Sequence, residues 1–207
     1  MRKKYLAYCL LIYIVLPYSM DNKIAQADKI ILGIDPGTNI MGYGIIAVKK
    51  REISLIAMGA IHLTKLGDHS IRLKKIFEKT LFLIDEYKVD DFAIEAPFYG
   101  KNVQSMLKLG RAQGVSMAAA LVREVPVCEY LPKKIKKAIT GKGAASKEQV
   151  GAMLKAIVHF EDTPKYLDAT DGLAVAVCHH FQGSAIKGQK SYSGWDSFLK
   201  NNPDRKV

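Results

Sequence analysis

Four acids in this chain have the type and spacing that metal-dependent chemistry uses: Asp35, Glu95, and the pair Asp168 and Asp171. Asp35 closes the apolar run Ile30-Ile31-Leu32-Gly33-Ile34, and Glu95 closes Asp91-Phe92-Ala93-Ile94. Both runs read as buried strands. Asp168 and Asp171 stand three residues apart at the front of an apolar helical run, so they share a helix face. A carboxylate taken out of water is costly unless a cation neutralises it. Acids gathered on strand ends and a helix face suit hard divalent cations such as Mg²⁺. Two such ions about 4 Å apart activate water and stabilise a leaving oxygen in phosphodiester hydrolysis.

Each acid also has an ordinary structural explanation. Asp35-Pro36-Gly37 is a turn signature, because Pro presets φ and Gly accepts a positive φ. Gly33, Gly37, Gly42 and Gly44 would let a phosphate backbone approach, yet glycines in a hairpin need no ligand. Glu95 precedes Ala96-Pro97-Phe98, where Pro97 stops strand pairing, and an acid at a strand end is commonly just solvated. Asp168 or Asp171 can cap a helix and complement its dipole. The dipole explains one acid of that pair more readily than both. The conjunction is therefore stronger than any member.

Lys29 to Asp35, Gly42 to Val48 and Ile53 to Leu63 read as three strands joined by short polar links. That pattern predicts an antiparallel meander. From Asp68 to Lys88 the apolar period becomes helical. A fourth strand spans Asp91 to Glu95, a long helix about Asn102 to Glu124, and a fifth strand Pro126 to Leu131. A short basic helix covers Lys133 to Thr140. Ser146 and Gln149 have the spacing of a capping box for the next helix. The last helix runs from Asp168 to about His180. This order predicts an α/β mixed five-stranded sheet with helices on both faces, strand one central and strand four beside it. Asp35 and Glu95 then fall at one sheet edge, with the last helix packed across it. Gly110 and Gly114 on the long helix permit close approach of another backbone, either the sheet or a second subunit.

The chain has 207 residues and a net charge of +11, which fits one domain and a polyanionic partner. Three cysteines, Cys9, Cys128 and Cys178, lack any Cys-x-x-Cys spacing, so disulfides and zinc are not expected. Residues 1–27 form an extension in which Arg2-Lys3-Lys4 precede an apolar stretch and Ala25-Gln26-Ala27 resembles a signal-peptidase site. The stretch from Tyr5 to Tyr18 is short for a membrane span. The alternative is that Met20 is the true start. Losing Arg2, Lys3 and Lys4 lowers the net charge only from +11 to +8, so a polyanion is still expected. The body of the domain is expected over 28–183. Residues 184–207 form a polar tail in which Trp195, Phe198 and Leu199 make a small apolar cluster.

The segments Gly33-Ile34-Asp35-Pro36-Gly37-Thr38, Ala93-Ile94-Glu95, Lys101-Asn102 with Leu107-Lys108-Leu109-Gly110, and Asp168-Ala169-Thr170-Asp171-Gly172-Leu173-Ala174 occur in one order. Together they resemble the RuvC family of Holliday-junction resolvases, from about Ile30 to His180. The resemblance implies a ribonuclease-H-like fold, a homodimer, and Mg²⁺-dependent cleavage of four-way DNA junctions, two ions per subunit, with Mn²⁺ as a substitute. It places the catalytic, metal-holding acids on Asp35, Glu95, Asp168 and Asp171. It places DNA-binding roles on Phe98, Lys101, Lys136 and Lys147, with Lys133, Lys134, Lys137 and Lys142 in the same basic patch. It implies the RuvA–RuvB branch-migration complex as a partner and the cytoplasm as location, with no membrane, which favours the Met20 start over export. Two features depart from the pattern: Ala96 stands where many members carry a polar residue, and the N-terminal extension is foreign to the family. Two other functions stay open at this stage. One is a sugar-kinase-like or chaperone-like ATPase, from the first glycine-rich turn, for which 207 residues are few. The other is a junction-binding protein that does not cut.

Overall fold

The computed structural model describes residues 23–97, 102–160 and 167–186. Five strands appear: β1 (Lys29–Asp35), β2 (Ile40–Lys49), β3 (Glu52–His62), β4 (Asp91–Glu95) and β5 (Val127–Tyr130). Among the described residues, five helices longer than two turns accompany them: α1 (His69–Tyr87), α2 (Val103–Val122), α3 (Pro132–Thr140), α4 (Lys147–Val158) and α5 (Leu167–Ile186). The sheet order is β3-β2-β1-β4-β5, with β1, β2 and β3 antiparallel and β4 and β5 parallel to β1. The expected meander, central first strand and mixed sheet are all present. The structure extends the second strand to Ile40–Lys49, because its pairing with β3 runs from Ile40↔His62 to Lys49↔Glu52.

Alternation along the central strands divides the protein into two apolar layers. Ile30, Leu32 and Ile34 of β1, with Phe92 and Ile94 of β4, face α1 and α2. Ile31 of β1 and Ala93 of β4 face α3, α4 and α5. With a side-chain period of two, Gly33 and Asp35 lie on the α5 side of β1, and Asp91 and Glu95 on the same side of β4. β1 is buried on both faces, as its unbroken apolar run requires.

The approach of α5 to the sheet is set by absent side chains. A Cβ on Gly33 would fall 2.3 Å from the backbone nitrogen of Ala176. One on Gly44 would fall 2.3 Å from Leu173 Cα, and one on Gly172 2.5 Å from Tyr43 Cα. At Gly42 it would overlap the carbonyl of Asp168. Gly33, Gly42 and Gly44 lie in the β1-β2 hairpin and admit the backbone of α5, while Gly37 fits the turn, where a Cβ would meet the Ile40 carbonyl. The helix that carries Asp168 and Asp171 thus lies directly on the strands that carry and flank Asp35. A Cβ on Gly110 or Gly114 would meet nothing within 4 Å among the described residues, so these glycines serve no close approach to the sheet.

Helix ends follow local chemistry. Ser146 accepts a hydrogen bond from the Gln149 backbone nitrogen, and Gln149 Oε1 accepts from the Ser146 nitrogen at 2.9 Å, completing the expected capping box. Pro132 starts α3, where its missing N–H costs nothing. Gly141 ends α3 at φ 75°.

Candidate active site

Asp35 and Glu95 lie side by side, one residue beyond the last register pair of β1 and β4, Ile34↔Ile94. Both are half-buried. With Asp171 they line a small cleft of about 100 Å³, together with Lys136 of α3 and Lys147 of α4. Pro132, Ile135, Val150 and Ala174 form its apolar wall. Asp168 stands one helical turn before Asp171, within electrostatic reach of Asp35. Burial pushes the Asp35 carboxyl up to about 7, the charges of Asp171 and Asp168 add to this, and Lys147 opposes it. Burial likewise pushes Glu95 up to about 8, reinforced by Asp35 and Asp171 and opposed by Lys147 and Lys136. Acids so placed repel one another and favour protonation until a cation joins them.

One cation is built in. Lys147 Nζ donates to Asp171 Oδ2 at 2.5 Å. Burial works against the Lys147 ammonium, but the hydrogen bond to Asp171 and the charges of Asp171, Asp35 and Asp168 hold its pKa above the ordinary lysine value. Lys136 Nζ donates to the Ala145 carbonyl at 2.9 Å and so ties down the loop between α3 and α4. Lys136 and Lys147, two of the three lysines in the predicted DNA-binding set, therefore sit among the acids. Phe98 and Lys101 lie outside the described residues, as do the apolar N-terminal stretch from Tyr5 to Tyr18 and the Trp195 cluster.

The turn after Asp35 is held from a distance. Arg72 of α1 donates to the Thr38 carbonyl at 3.2 Å, to Asn39 Oδ1 at 3.0 Å and to the Leu66 carbonyl at 3.1 Å. Sequence reasoning missed Arg72, because its partners lie 33 and 34 residues away and no local pattern marks it. The Lys147–Asp171 pairing was missed for the same reason.

A family model described as "Crossover junction endodeoxyribonuclease RuvC" matches residues 31–179, the span that holds all four acids. The chain belongs to the RuvC family. Proteins bearing the same description in Cytophaga hutchinsonii and Bacteroides fragilis are 61% and 58% identical to it. Those alignments cover 89% and 86% of this chain and 91% and 96% of the relatives. Among solved structures, Thermus thermophilus RuvC in complex with a Holliday junction substrate superimposes with a TM-score of 0.72 at 28% identity, covering 76% of this chain and 96% of that one. The yeast mitochondrial Holliday junction resolvase Ydc2 matches with a TM-score of 0.60 at 11% identity, covering 81% of this chain and 87% of its own, and so shares the fold. The ribonuclease-H-like resolvase fold is confirmed, and the chain is an endodeoxyribonuclease, a hydrolase.

Membership of the RuvC family implies a metal-dependent nuclease. The donor set fits that role: hard carboxylate oxygens, two of them on acids pushed far above their ordinary pKa by burial and mutual repulsion. Among the described residues, no three His, Cys, Asp or Glu side chains are drawn close enough to enclose one ion. Among the described residues, no helix is long and apolar enough to cross a membrane.

Proposed function

We propose that this RuvC-family chain resolves four-way DNA junctions in recombination and repair, with Asp35, Glu95, Asp168 and Asp171 as the acids that hold its metal. The observation that carries this reading is the convergence of two strand ends and one helix face on a single cleft, within a family whose relatives are named for junction cleavage. Two Mg²⁺ ions per subunit, or Mn²⁺ in their place, would supply activated water and neutralise charge on the leaving oxygen. The protein's own part is positional. β1 and β4 fix Asp35 and Glu95, and the glycine-lined seat of α5 fixes Asp168 and Asp171. Lys136 and Lys147 offer positive charge to a phosphodiester entering the cleft, and the apolar wall limits bulk water. Lys133, Lys134, Lys137 and Lys142 extend the basic surface beside it, while Phe98 and Lys101 are proposed DNA contacts on the resemblance alone.

A homodimer supplies the two sites that symmetric cutting needs. On α2, Val103, Leu107, Gly110, Gly114, Met117 and Leu121 recur at alternating spacings of four and three, the pattern of a helix-pairing seam. Val103, Leu107 and Leu121 are exposed at 63%, 51% and 60%. This stripe is the proposed twofold contact. The RuvA–RuvB complex and a cytoplasmic location rest on family membership and the DNA substrate. The domain body over 28–183, with flanking extension and tail, remains the proposed organisation.

The test uses the full chain with Mg²⁺, a synthetic four-way junction and a linear duplex of the same sequence. Paired symmetric nicks in the junction alone support the reading. Binding without nicks would favour a junction-binding protein instead, and no preference for the junction would defeat both.

Two predictions follow from the electrostatics. Asp35 and Glu95 have folded pKa values of about 7 and about 8, far above those of an unfolded chain. The stability they contribute is full below about pH 4 and is lost as pH rises towards 8. The metal-free protein should therefore lose stability across that window, seen by calorimetry as a Tm that falls as pH rises from about 4 to 8. Mg²⁺ should restore most at the alkaline end, and Glu95→Gln should flatten the metal-free profile. In the second, Lys147→Met removes the ammonium that competes for Asp171. Mn²⁺ affinity measured by titration calorimetry is expected to rise about three- to tenfold, since a nearby positive charge opposes a dication.

A further inference from the structure

Behind the acid cleft, a chain of polar groups crosses the layer between the sheet and α5. The Tyr130 hydroxyl lies 2.8 Å from His179 Nδ1, and His179 Nε2 lies 3.0 Å from Asp91 Oδ2. Lys29 Nζ donates to that same oxygen at 2.6 Å. The His179 and Asp91 side chains are only 11% and 14% exposed. With Asp91 ionised and accepting from Nε2–H, Nδ1 must accept from the Tyr130 hydroxyl, so every partner is satisfied by one tautomer. Burial would raise the Asp91 carboxyl, but the hydrogen bonds from Lys29 and His179 outweigh it and hold it below its ordinary value.

The placement of this relay is informative. Lys29 begins the strand that Asp35 ends, and Asp91 begins the strand that Glu95 ends. Tyr130 is the register partner of Glu95. His179 lies on α5, eight residues after Asp171 and on the same helix. The relay therefore joins the helix bearing two acids to both strands bearing the others. Beneath α5, Gly33, Gly44 and Gly172 meet the facing chain through backbone atoms, while Leu173, Val175 and Val177 are buried in the surrounding apolar layer. Apolar burial is non-directional, and the relay adds directional bonds between α5 and the sheet. A slip of one residue along the helix moves Asp168 and Asp171 by about 1.5 Å. It would also break directional bonds whose strength falls steeply with misalignment.

We propose that His179 is a positioning residue: with Tyr130 and Asp91 it sets the axial position of α5, and through it the placement of Asp168 and Asp171 against Asp35 and Glu95. This rests on the proposed roles of the four acids. A buried, fully paired polar chain in an apolar layer is a means of specifying one arrangement among several similar packings.

The test compares the full chain with His179→Phe, His179→Gln and Tyr130→Phe, at a temperature well below every Tm. His179→Phe keeps a flat ring and removes both bonds. Its kcat on saturating junction is expected to fall about 10- to 100-fold, as misplacement by about 1 Å can cost. Junction affinity should stay within about threefold, because His179 and Asp91 are nearly buried and the Lys134 ammonium over the Tyr130 ring is left in place, and Mn²⁺ affinity should weaken several-fold. His179→Gln returns a donor to Asp91 and should recover at least half of the logarithmic loss. If His179→Phe does not fold, Tyr130→Phe carries the test, with kcat lowered about fivefold at a Tm within 3 °C of the parent. Unchanged kcat and Mn²⁺ affinity in a folded His179→Phe or Tyr130→Phe would overturn the inference. So would a loss that His179→Gln fails to relieve. An inactive parent chain would instead count against the proposed function.

Discussion

Asp35→Asn is expected to lower junction cleavage by at least about 10³-fold while junction affinity stays within about threefold. A 10³-fold loss is about 4 kcal/mol in the barrier, the scale of charge stabilisation that a metal site supplies. Asp35 sits at the centre of the cluster: it interacts with Asp171, Asp168 and Lys147, and it raises Glu95. Asn has the same shape and no charge, so the strand end and the turn held by Arg72 should persist. The metal-free variant should even be more stable than the parent near pH 8, where the buried carboxylate is most costly. With DNA grip assigned to the basic surface, as proposed, binding should survive. Single-turnover cleavage beside a binding titration checks both halves. Cleavage within tenfold of the parent would remove Asp35 from the site, and parallel loss of binding would make it structural.

Gly44→Val should have the largest effect on the fold itself. Its Cβ would lie 2.3 Å from Leu173 Cα and 2.6 Å from Leu173 N, both backbone atoms that cannot swing aside. α5 would have to lift from the sheet, uncovering the layer around Leu173, Ala176 and Val177. Overpacking of a well-filled core costs about 1–3 kcal/mol, and a backbone clash lies at or beyond the upper end. The expected fall in Tm is roughly 6–12 °C, with cleavage lost as Asp168 and Asp171 move. Gly151→Ala is the matched control. Gly151 lies within α4 with nothing within 4 Å of its would-be Cβ, so alanine should raise stability by about 0.5–1 kcal/mol. Equal behaviour of the two variants would show that the seat of α5 is not a glycine-specific contact.

Local pattern revealed the strands, the capping box at Ser146 and the acids, because each is written in neighbouring residues. The apolar runs Ile30 to Asp35 and Asp91 to Glu95, with strand four placed beside strand one, were enough to bring Asp35 and Glu95 to one edge. The purpose of Gly33, Gly42 and Gly44 was not legible. A hairpin glycine looks the same whether it accommodates a turn, a ligand or a helix, and only the partner reveals which. Here the partner is Gly172 and its neighbours, more than 120 positions later in the chain. The same non-locality hid the Lys147–Asp171 pair and the Tyr130–His179–Asp91 relay. The open face of Gly110 and Gly114 resolved an alternative the sequence left standing, since the sheet does not use it.

If four acids from two strands and one helix act as one metal site, Mn²⁺ binding to the junction complex, followed by electron paramagnetic resonance, depends on each of them. The measurement would use the parent chain and the single variants Asp35→Asn, Glu95→Gln, Asp168→Asn and Asp171→Asn. The expected result is two ions per protomer in the parent and a loss of at least about tenfold in affinity in each variant, since each removes an anionic oxygen donor. Parent-like Mn²⁺ binding in Asp35→Asn or Glu95→Gln would contradict the account.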